Sequence, residues 1–410
     1  MGLLFTSMNN RKIIWFICVV IGITLLIVCI LNAVAKQRFL SHISMLAPLP
    51  PMGWNGWNHF GCKEEVNETL IKEIVLALKS SGMRDVGYEY VVLDDCWQIG
   101  RDTQGNIIPD PKKFPSGMRA LGDYIHKHGM KFGIYTSAGR KTCEKREGSY
   151  RNELRDVQTY ASWGVDYIKV DWCGIEYLDT KTQYEKWRRA IEKTGRPIVL
   201  SIAIADIEKI DNNEVWKWGR GIGHLWRTAR DVLDYWPDVL RVLDRNAQYA
   251  QYSGPHGWND ADMLQVGNGG MTDEEYKSHF SMWAMMASPL MAGNDVRFMQ
   301  PRIKKILTNY EVIAIDQDPL GIQGTKVYDN SHGQEIWKKQ LAGGKTALAI
   351  FNRADEEATM IFSWDMLGVA TASAEVRNAW SHDTVELSSN DFTVILPSHG
   401  VEVFVVAIPQ

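Results

Sequence analysis

The feature that most constrains the fold is a series of short apolar runs, each with a polar or charged residue at one of its ends. The clearest runs are Tyr90–Leu93, Lys131–Tyr135, Tyr167–Val170, Ile198–Ile202, Leu225–Thr228 and Asp262–Val266. Reference points at positions 54, 93, 135, 171, 201, 227 and 262 lie 26 to 42 residues apart, with helical patterns between them. This alternation indicates a parallel sheet with helical crossovers. Seven or eight such units over roughly 250 residues predict a (β/α)8 TIM barrel rather than an open sheet.

The character of the sequence changes near residue 325. Short β-type runs then follow one another without helices between them, at Glu335–Leu341, Thr346–Phe351, Thr359–Phe362, Phe392–Leu396 and Val401–Ala407. Such a series predicts an antiparallel β-sandwich. We therefore expect an α/β protein with an N-terminal segment at 1–40, a catalytic barrel at 41–324 and a C-terminal β-sandwich at 325–410.

The N-terminal segment contains an apolar run from Ile13 to Leu31 that follows Arg11 and Lys12. About twenty apolar residues span a bilayer, and the length of this run favours a transmembrane anchor. A secretory signal peptide is the alternative, because Ala33-Val34-Ala35 fits a cleavage site. Both interpretations predict an exported body (extracellular, periplasmic or lumenal), with membrane contact only if the segment stays uncleaved.

Charge and cysteine content narrow the function classes further. The formal net charge of −4 argues against a nucleic-acid partner, which usually requires a basic surface. Two of the six cysteines lie in the apolar run, and the other four are Cys62, Cys96, Cys143 and Cys173. An even number in an exported domain suggests disulfides, with three possible pairings. The absence of a CxxC pair from the sequence argues against a zinc cluster.

The predicted strand ends carry a set of charged side chains: Asp94, Asp95, Lys169, Asp171, Arg227, Asp231 and Asp262. In a TIM barrel, the carboxyl ends of the strands line the active site. Lys169 and Asp171 lie two residues apart, so they face the same side of a strand. A neighbouring cation lowers the pKa of a carboxyl group, which suits Asp171 to be a nucleophile.

A second carboxyl group with the opposite protonation completes the requirements of glycoside hydrolysis. Asp231 is our candidate, because acidic neighbours tend to raise a carboxyl pKa and so favour a general acid. Helix capping is the alternative role for any single Asp at a strand end. Carboxylates could also hold Mg²⁺ for enolate chemistry, but Lys169 and Arg227 lie among them, so we expect neither a metal nor a cofactor.

Several motifs, in this order, make the chain recognisable. They are Met52-Gly53-Trp54-Asn55-Gly56-Trp57-Asn58, Leu93-Asp94-Asp95-Cys96-Trp97, Gly133-Ile134-Tyr135, Lys141-Thr142-Cys143, Tyr167-Ile168-Lys169-Val170-Asp171-Trp172-Cys173, Trp226-Arg227-Thr228, Trp258-Asn259-Asp260-Ala261-Asp262-Met263-Leu264 and Ile315-Asp316-Gln317-Asp318-Pro319-Leu320-Gly321. Together they resemble the α-galactosidases of glycoside hydrolase family 27, over about residues 48 to 410. The resemblance implies a TIM barrel, a C-terminal β-sandwich and an exo-acting, retaining hydrolase that needs no metal.

The resemblance also implies roles for individual residues. Asp171 corresponds to the nucleophile and Asp231 to the acid/base. Three further residues, Asp94, Asp95 and Lys169, match groups that hydrogen-bond the 4- and 6-hydroxyls of the sugar and their neighbours. Trp54 and Tyr135 match aromatic walls, and Arg227 and Asp262 match contacts near the 2- and 3-hydroxyls. Cys143 and Cys173 match a disulfide across the site mouth, which leaves Cys62 to pair with Cys96.

One stretch departs from the family pattern. The family usually has Ser-Cys-Glu-Trp, or Ser-Cys-Ser-Trp in its N-acetylgalactosaminidases, where this chain has Ser201-Ile202-Ala203-Ile204-Ala205-Asp206. Ala203 replaces the Glu that contacts the 2-hydroxyl, and the space could admit a 2-acetamido group or be filled by Asp206. The alternatives are therefore an α-N-acetylgalactosaminidase or a β-L-arabinopyranosidase. A non-catalytic sugar-binding protein is disfavoured because both catalytic carboxylates are present. The motifs predict neither the leaving group nor the oligomeric state.

Overall fold

The computed structural model describes residues 17, 19–24, 45–175, 178–204, 214–364, 375–385 and 391–407. The chain divides into two units, Met1–Met45 and Leu46–Gln410. Residues 17 and 19–24 of the first unit are helical and exposed; the remainder of the apolar run and the Ala33–Ala35 cleavage motif lie outside the described residues. Within the described ranges, no helix has both the length and the apolar character needed to cross a membrane.

Eight parallel strands form the first sheet of the second unit. They are β1 (Met52–Asn55), β2 (Tyr90–Leu93), β3 (Lys131–Ser137), β4 (Tyr167–Asp171), β5 (Val199–Ala203), β6 (Leu225–Arg227), β7 (Trp258–Asp260) and β8 (Leu290–Ala292). Their order is β8-β1-β2-β3-β4-β5-β6-β7. A parallel bridge between Leu264 and Ala292 joins the two ends of the sheet. The strands therefore close on themselves, which confirms the predicted TIM barrel.

Helices connect the barrel strands. They are α1 (Trp57–Phe60), α2 (Glu68–Ser80), α3 (Gly117–Lys127), α4 (Glu153–Ser162), α5 (Thr180–Thr194), α6 (Val215–Trp218), α7 (Trp236–Ala247) and α8 (Asp273–Met285), followed by α9 (Pro301–Leu307) and α10 (Tyr310–Asp316). Local sequence signals fix several of their ends. The Asn67 side chain accepts a hydrogen bond from the Leu70 amide at the start of α2. Thr272 and Glu275 form a reciprocal capping box at the start of α8.

The position that we predicted for the last barrel strand is wrong. We predicted a strand over Asp262–Val266, whereas β7 covers Trp258–Asp260. The Asp260 side chain accepts a hydrogen bond from the Asp262 amide at 2.8 Å, and Asp262 has a φ of 73°. This left-handed turn ends the strand, and Asp tolerates the conformation better than most residues. The other predicted barrel strands differ from the observed bounds by at most two residues.

Within its described residues, the regular structure of the C-terminal part consists of strands and one short 3-10 helix, Ala342–Gly344. Its strands are β9 (Thr325–Asp329), β10 (Gln334–Gln340), β11 (Thr346–Asn352), β12 (Ala358–Ser363), β13 (Glu375–Asn378), β14 (Thr384–Val385), β15 (Asp391–Leu396) and β16 (Val401–Ala407). Six of them form an antiparallel sheet in the order β9-β10-β11-β16-β13-β14, and β12 pairs with β15. One apolar cluster joins both sheets through residues such as Leu348, Phe362 and Phe404. This arrangement confirms the predicted antiparallel sandwich, although β9, β13 and β14 escaped prediction.

Candidate active site

The barrel strands place the charged side chains by simple alternation. Tyr90, Tyr167, Leu225 and Trp258 belong to one apolar cluster inside the barrel. Side chains at even offsets along a strand share its face, so Lys169 and Asp171 continue the row that begins at Tyr167. Arg227 and Asp260 follow Leu225 and Trp258 in the same way. The apolar core of the barrel therefore passes into a charged layer at the carboxyl ends of its strands.

Asp171 lies at the end of β4 and is only 7% exposed. Its Oδ1 accepts a hydrogen bond from the Trp172 amide at 2.8 Å, and its Oδ2 accepts one from the Tyr135 hydroxyl at 2.9 Å. The Sγ atom of Cys143 lies 3.2 Å from the same Oδ2. These contacts hold the carboxylate in one orientation.

The protonation of Asp171 differs from the sequence expectation. Burial raises the pKa of Asp171 to about 6, although the charge of Lys169 acts in the opposite direction. The negative charge of Asp231 also raises the pKa of Asp171. The prediction that Lys169 would keep this pKa low was therefore wrong, because the loss of hydration outweighs the charge of one neighbouring cation.

Asp94 and Asp95 follow β2 and accept hydrogen bonds from several directions. Asp94 Oδ2 accepts from Lys169 Nζ at 2.8 Å and from Asn55 Nδ2 at 2.6 Å. Asp95 accepts from the Cys96 amide at 2.7 Å and from the Glu144 amide at 3.1 Å. Burial nevertheless raises the pKa of Asp95 to about 6. The two carboxylates are thus positioned by the backbone and by Lys169, with further lone pairs to offer a ligand.

Arg227 links the remaining two carboxylates. Its Nη1 lies 3.0 Å from Oδ1 of Asp231 and 3.0 Å from Oδ1 of Asp262. The Asp231 side chain is 56% exposed, whereas that of Asp262 is 5% exposed. Partial burial raises the pKa of Asp231, but the positive charges of Arg227 and Lys169 outweigh it and leave this pKa below its usual value. The expectation that acidic neighbours would raise it was wrong, because hydrogen bonding to Arg227 and the charges of Arg227 and Lys169 lower this pKa.

These groups surround a cavity of about 280 Å³. Eight of the predicted site residues line it: Asp94, Asp95, Tyr135, Cys143, Lys169, Asp171, Asp231 and Asp262. The sequence prediction missed seven more, which are Trp57, Asn58, Val232, Leu233, Asp234, Met263 and Gln265. Trp57, Asn58 and Met263 lie within the motifs quoted above, and Val232 and Gln265 directly follow a predicted residue or a motif, so this proximity was the signal that could have found them.

Three predicted residues do not line the cavity. Trp54 is 1% exposed and its Nε1 donates to the Asn294 carbonyl at 2.8 Å, so it is part of the barrel wall. The cavity is instead lined by Trp57, three residues later. Arg227 lies outside the lining and contacts two lining residues, Asp231 and Asp262. Ala203 is 2% exposed and pairs in register with Asp171, while Asp206 lies outside the described residues.

Two disulfides connect loops around the cavity, namely Cys62–Cys96 and Cys143–Cys173. Disulfides persist in oxidising compartments, which indicates an exported protein. Metal-ligating atoms come together at Cys143, Asp171 and Cys173 in the described part of the chain. Both sulfurs there are joined to each other, so they offer no thiolate to a metal ion.

The chain is similar to known proteins over most of its length. The sequence pattern described as alpha galactosidase A matches residues 49–318, and that of the alpha galactosidase C-terminal beta sandwich domain matches residues 331–406. The chain is 42% identical over 372 residues to an α-galactosidase from Cyamopsis tetragonoloba, covering 90% of this chain and 88% of the relative.

Solved structures of α-galactosidases are also similar to this chain. The α-galactosidase I of Mortierella vinacea superposes with a TM-score of 0.82 at 35% identity, covering 88% of this chain and 98% of that one. An α-galactosidase from Saccharomyces cerevisiae, solved with raffinose, has a TM-score of 0.81 at 28% identity and covers 90% and 99% of the two chains.

Proposed function

Since the chain belongs to the α-galactosidase family, glycoside hydrolase family 27, we propose that it is a retaining exo-glycosidase that removes terminal α-linked galactose. The observation that carries the proposal is the pair of carboxylates in one cavity, Asp171 buried at its base and Asp231 exposed beside it. We assign exo action because the terminal sugar would occupy the buried end of the cavity, beside Asp94, Asp95 and Asp171.

In the first step, Asp171 is the nucleophile and Asp231 the acid. An Asp171 carboxylate oxygen forms a bond to the anomeric carbon while the bond from that carbon to the glycosidic oxygen breaks. Asp231 gives its proton to the departing oxygen, which leaves as an alcohol. The Tyr135 hydroxyl and the Trp172 amide hold Asp171 in position for this attack.

In the second step, water replaces the leaving group. Asp231, now ionised, accepts a proton from the water while the water oxygen attacks the anomeric carbon and releases Asp171. The 56% exposure of the Asp231 side chain gives water access to it. The product has the configuration of the substrate because two inversions have taken place.

The charge of the cavity suits the transition state. Six carboxyl groups, those of Asp94, Asp95, Asp171, Asp231, Asp260 and Asp262, lie with two cations in and behind the cavity wall. An oxocarbenium-like transition state carries positive charge on the sugar ring. Preorganised carboxylates of opposite sign stabilise this charge more than the neutral ground state.

Selection for galactose is assigned to the Asp94, Asp95 and Lys169 cluster. The free lone pairs of the two carboxylates accept hydrogen bonds from sugar hydroxyls, and charge-assisted hydrogen bonds are strong and directional. An axial 4-hydroxyl would meet them, whereas the equatorial hydroxyl of glucose would not. Trp57 provides an aromatic wall for the apolar face of the sugar.

The test uses purified residues 40–410 and p-nitrophenyl α-galactoside, α-N-acetylgalactosaminide, β-L-arabinopyranoside and α-glucoside. We expect the highest kcat/KM on the α-galactoside. Ala203 is not among the described residues that line the cavity, so it provides no argument for the acetamido substrate. A preference for another glycoside would overturn the substrate assignment. An Asp171→Asn variant should lose at least about 10³-fold in kcat, and full activity would exclude Asp171 as nucleophile.

The domain limits and the N-terminal segment complete the proposal. We assign catalysis to residues 41–324 and a supporting role to the β-sandwich at 325–410. The segment at 1–40 directs export and then either remains as an anchor or is cleaved. N-terminal sequencing of the protein after secretion tests this, because a start near residue 36 would exclude an anchor.

A further inference from the structure

The residues that line the cavity differ sharply in their exposure. Those at its base, such as Asp94, Asp95 and Asp171, are buried, and most of the others are buried or half-buried. Within the described residues, the exposed members of the lining are Asp231 and Leu233, and Leu233 is 58% exposed. These two residues therefore mark the mouth of the cavity.

The backbone holds Leu233 in this exposed position. The Leu233 amide donates to Asp238 Oδ2 at 2.7 Å, and the Leu233 carbonyl accepts from the Tyr235 amide at 2.8 Å. The next residue, Asp234, accepts from the Gly270 amide at 2.5 Å and from the Tyr276 hydroxyl at 3.0 Å. The exposed side chain is thus displayed by a fixed segment.

A single exposed leucine is common on protein surfaces and needs no explanation by itself. Leu233 differs because it forms the cavity wall two residues from the proposed acid. The glycosidic oxygen must lie next to Asp231 to receive its proton, so the leaving group continues outward from that point. Among the described residues that line the cavity, Leu233 is the exposed apolar side chain near Asp231.

We propose that Leu233 forms a leaving-group subsite that favours aglycones with an apolar surface next to the glycosidic oxygen, such as alkyl or aryl groups. The proposal rests on the proposed function, since it places the galactose in the buried base. Contact with such a group removes the exposed surface of Leu233 and that of the aglycone from water, which stabilises the transition state for departure.

The test measures kcat/KM on methyl, propyl and hexyl α-galactosides. The three alcohols are similar as leaving groups, so differences report contact with the chain. We expect wild type to gain about tenfold from methyl to hexyl, which corresponds to shielding about two methylene groups from water. In Leu233→Ala the ratio of kcat/KM on the hexyl glycoside to kcat/KM on the methyl glycoside should fall to about threefold or less.

Two controls separate contact from damage. Leu76 is a matched control, because it is 48% exposed on α2 and lies outside the cavity lining, so Leu76→Ala should keep the full chain-length gain. Inhibition by galactose, which fills only the base, should be the same in wild type and Leu233→Ala.

The outcomes distinguish the subsite from the proposed function. No hydrolysis of any of the three glycosides by wild type would overturn the proposed function and the subsite with it. Hydrolysis without a chain-length gain, or a gain that survives in Leu233→Ala, would overturn the subsite alone. A weaker inhibition by galactose in Leu233→Ala would overturn it too, because the variant would then have disturbed the base.

Discussion

Arg227 holds Asp231 through a hydrogen bond of 3.0 Å from Nη1 to Oδ1. The positive charge of Arg227 helps to keep the pKa of Asp231 below its usual value, while burial raises the pKa of Asp171 to about 6. The two carboxyls therefore differ in the direction of their pKa shifts, which favours protonation of Asp171 over that of Asp231. Catalysis requires the reverse arrangement, with the proton on Asp231.

The first prediction concerns the pH dependence of kcat/KM on an alkyl α-galactoside. Above about pH 6 Asp171 loses its proton and both carboxyls are ionised, so no acid remains and the rate falls. Below the lowered pKa of Asp231 both carboxyls are protonated, and the rate falls again. We expect a bell-shaped profile with its basic limb near pH 6 and its acid limb below pH 3.8, the ordinary pKa of the Asp231 carboxyl.

A substrate that needs no acid shows where the proton resides. On 2,4-dinitrophenyl α-galactoside only an ionised Asp171 is needed, so kcat/KM should rise through pH 6 to a plateau. A profile on this substrate that is already flat through pH 6 would show that Asp171 ionises at lower pH, and the assignment of the pKa values to the two residues would be wrong.

The second prediction concerns stability. Asp171 has a folded pKa of about 6 against an ordinary value of 3.8, so the folded state binds its proton more tightly than the unfolded state. The ionised form is penalised in the fold, and stability falls as pH rises from about 4 to 6. Asp171→Asn removes this penalty, so it should gain about 1–3 kcal/mol at pH 7.5 and almost nothing near pH 4.

Thermal unfolding of wild type and Asp171→Asn at both pH values checks the second prediction. We expect Tm to rise by about 2–5 °C at pH 7.5 only. Asp123→Asn makes the same charge change at an exposed position on α3 and should leave Tm nearly unchanged. Equal Tm gains for Asp171→Asn at both pH values would contradict the argument from burial.

The third prediction compares the two disulfides. Cys62–Cys96 and Cys143–Cys173 close loops of similar length, with sequence separations of 34 and 30, so each should contribute about 3–4 kcal/mol to stability. Cys143 also contacts Asp171 at 3.2 Å, and the Glu144 amide holds Asp95. Replacing Cys143 and Cys173 with Ser should therefore reduce kcat/KM more strongly than replacing Cys62 and Cys96, at a similar loss of Tm. Equal losses of kcat/KM would reduce the role of Cys143–Cys173 to stability.

The fourth prediction separates the two tryptophans. Trp54 is 1% exposed within the barrel wall, so Trp54→Ala should cost about 3–5 kcal/mol of unfolding free energy. Trp57 is half-buried and lines the cavity, so Trp57→Ala should reduce kcat/KM by about tenfold, with a smaller loss of stability. Denaturant unfolding and steady-state kinetics of both variants check this. If Trp54→Ala remained stable and lost more kcat/KM than Trp57→Ala, Trp54 rather than Trp57 would be the residue that contacts substrate.

The order of the strands and helices could be predicted because each element is marked by a pattern in its own stretch of sequence. Each barrel strand is a short apolar run, and alternation along it carries a core residue such as Tyr167 directly to Lys169 and Asp171. β9, β13 and β14 were missed because they are short or largely exposed and have no apolar run to mark them. Strand β7 was misplaced because the turn that ends it depends on a hydrogen bond between Asp260 and Asp262.

The sequence by itself determined the fold class, the motif order and most of the charged residues at the strand ends. The tertiary structure alone decided which tryptophan faces the cavity, in which direction each carboxyl pKa shifts and which apolar side chain stands at the mouth. The physical reason is that burial and electrostatic potential are sums over neighbours in space. Those neighbours, such as Arg227 beside Asp262 and Asp238 beneath Leu233, come together only when the barrel closes.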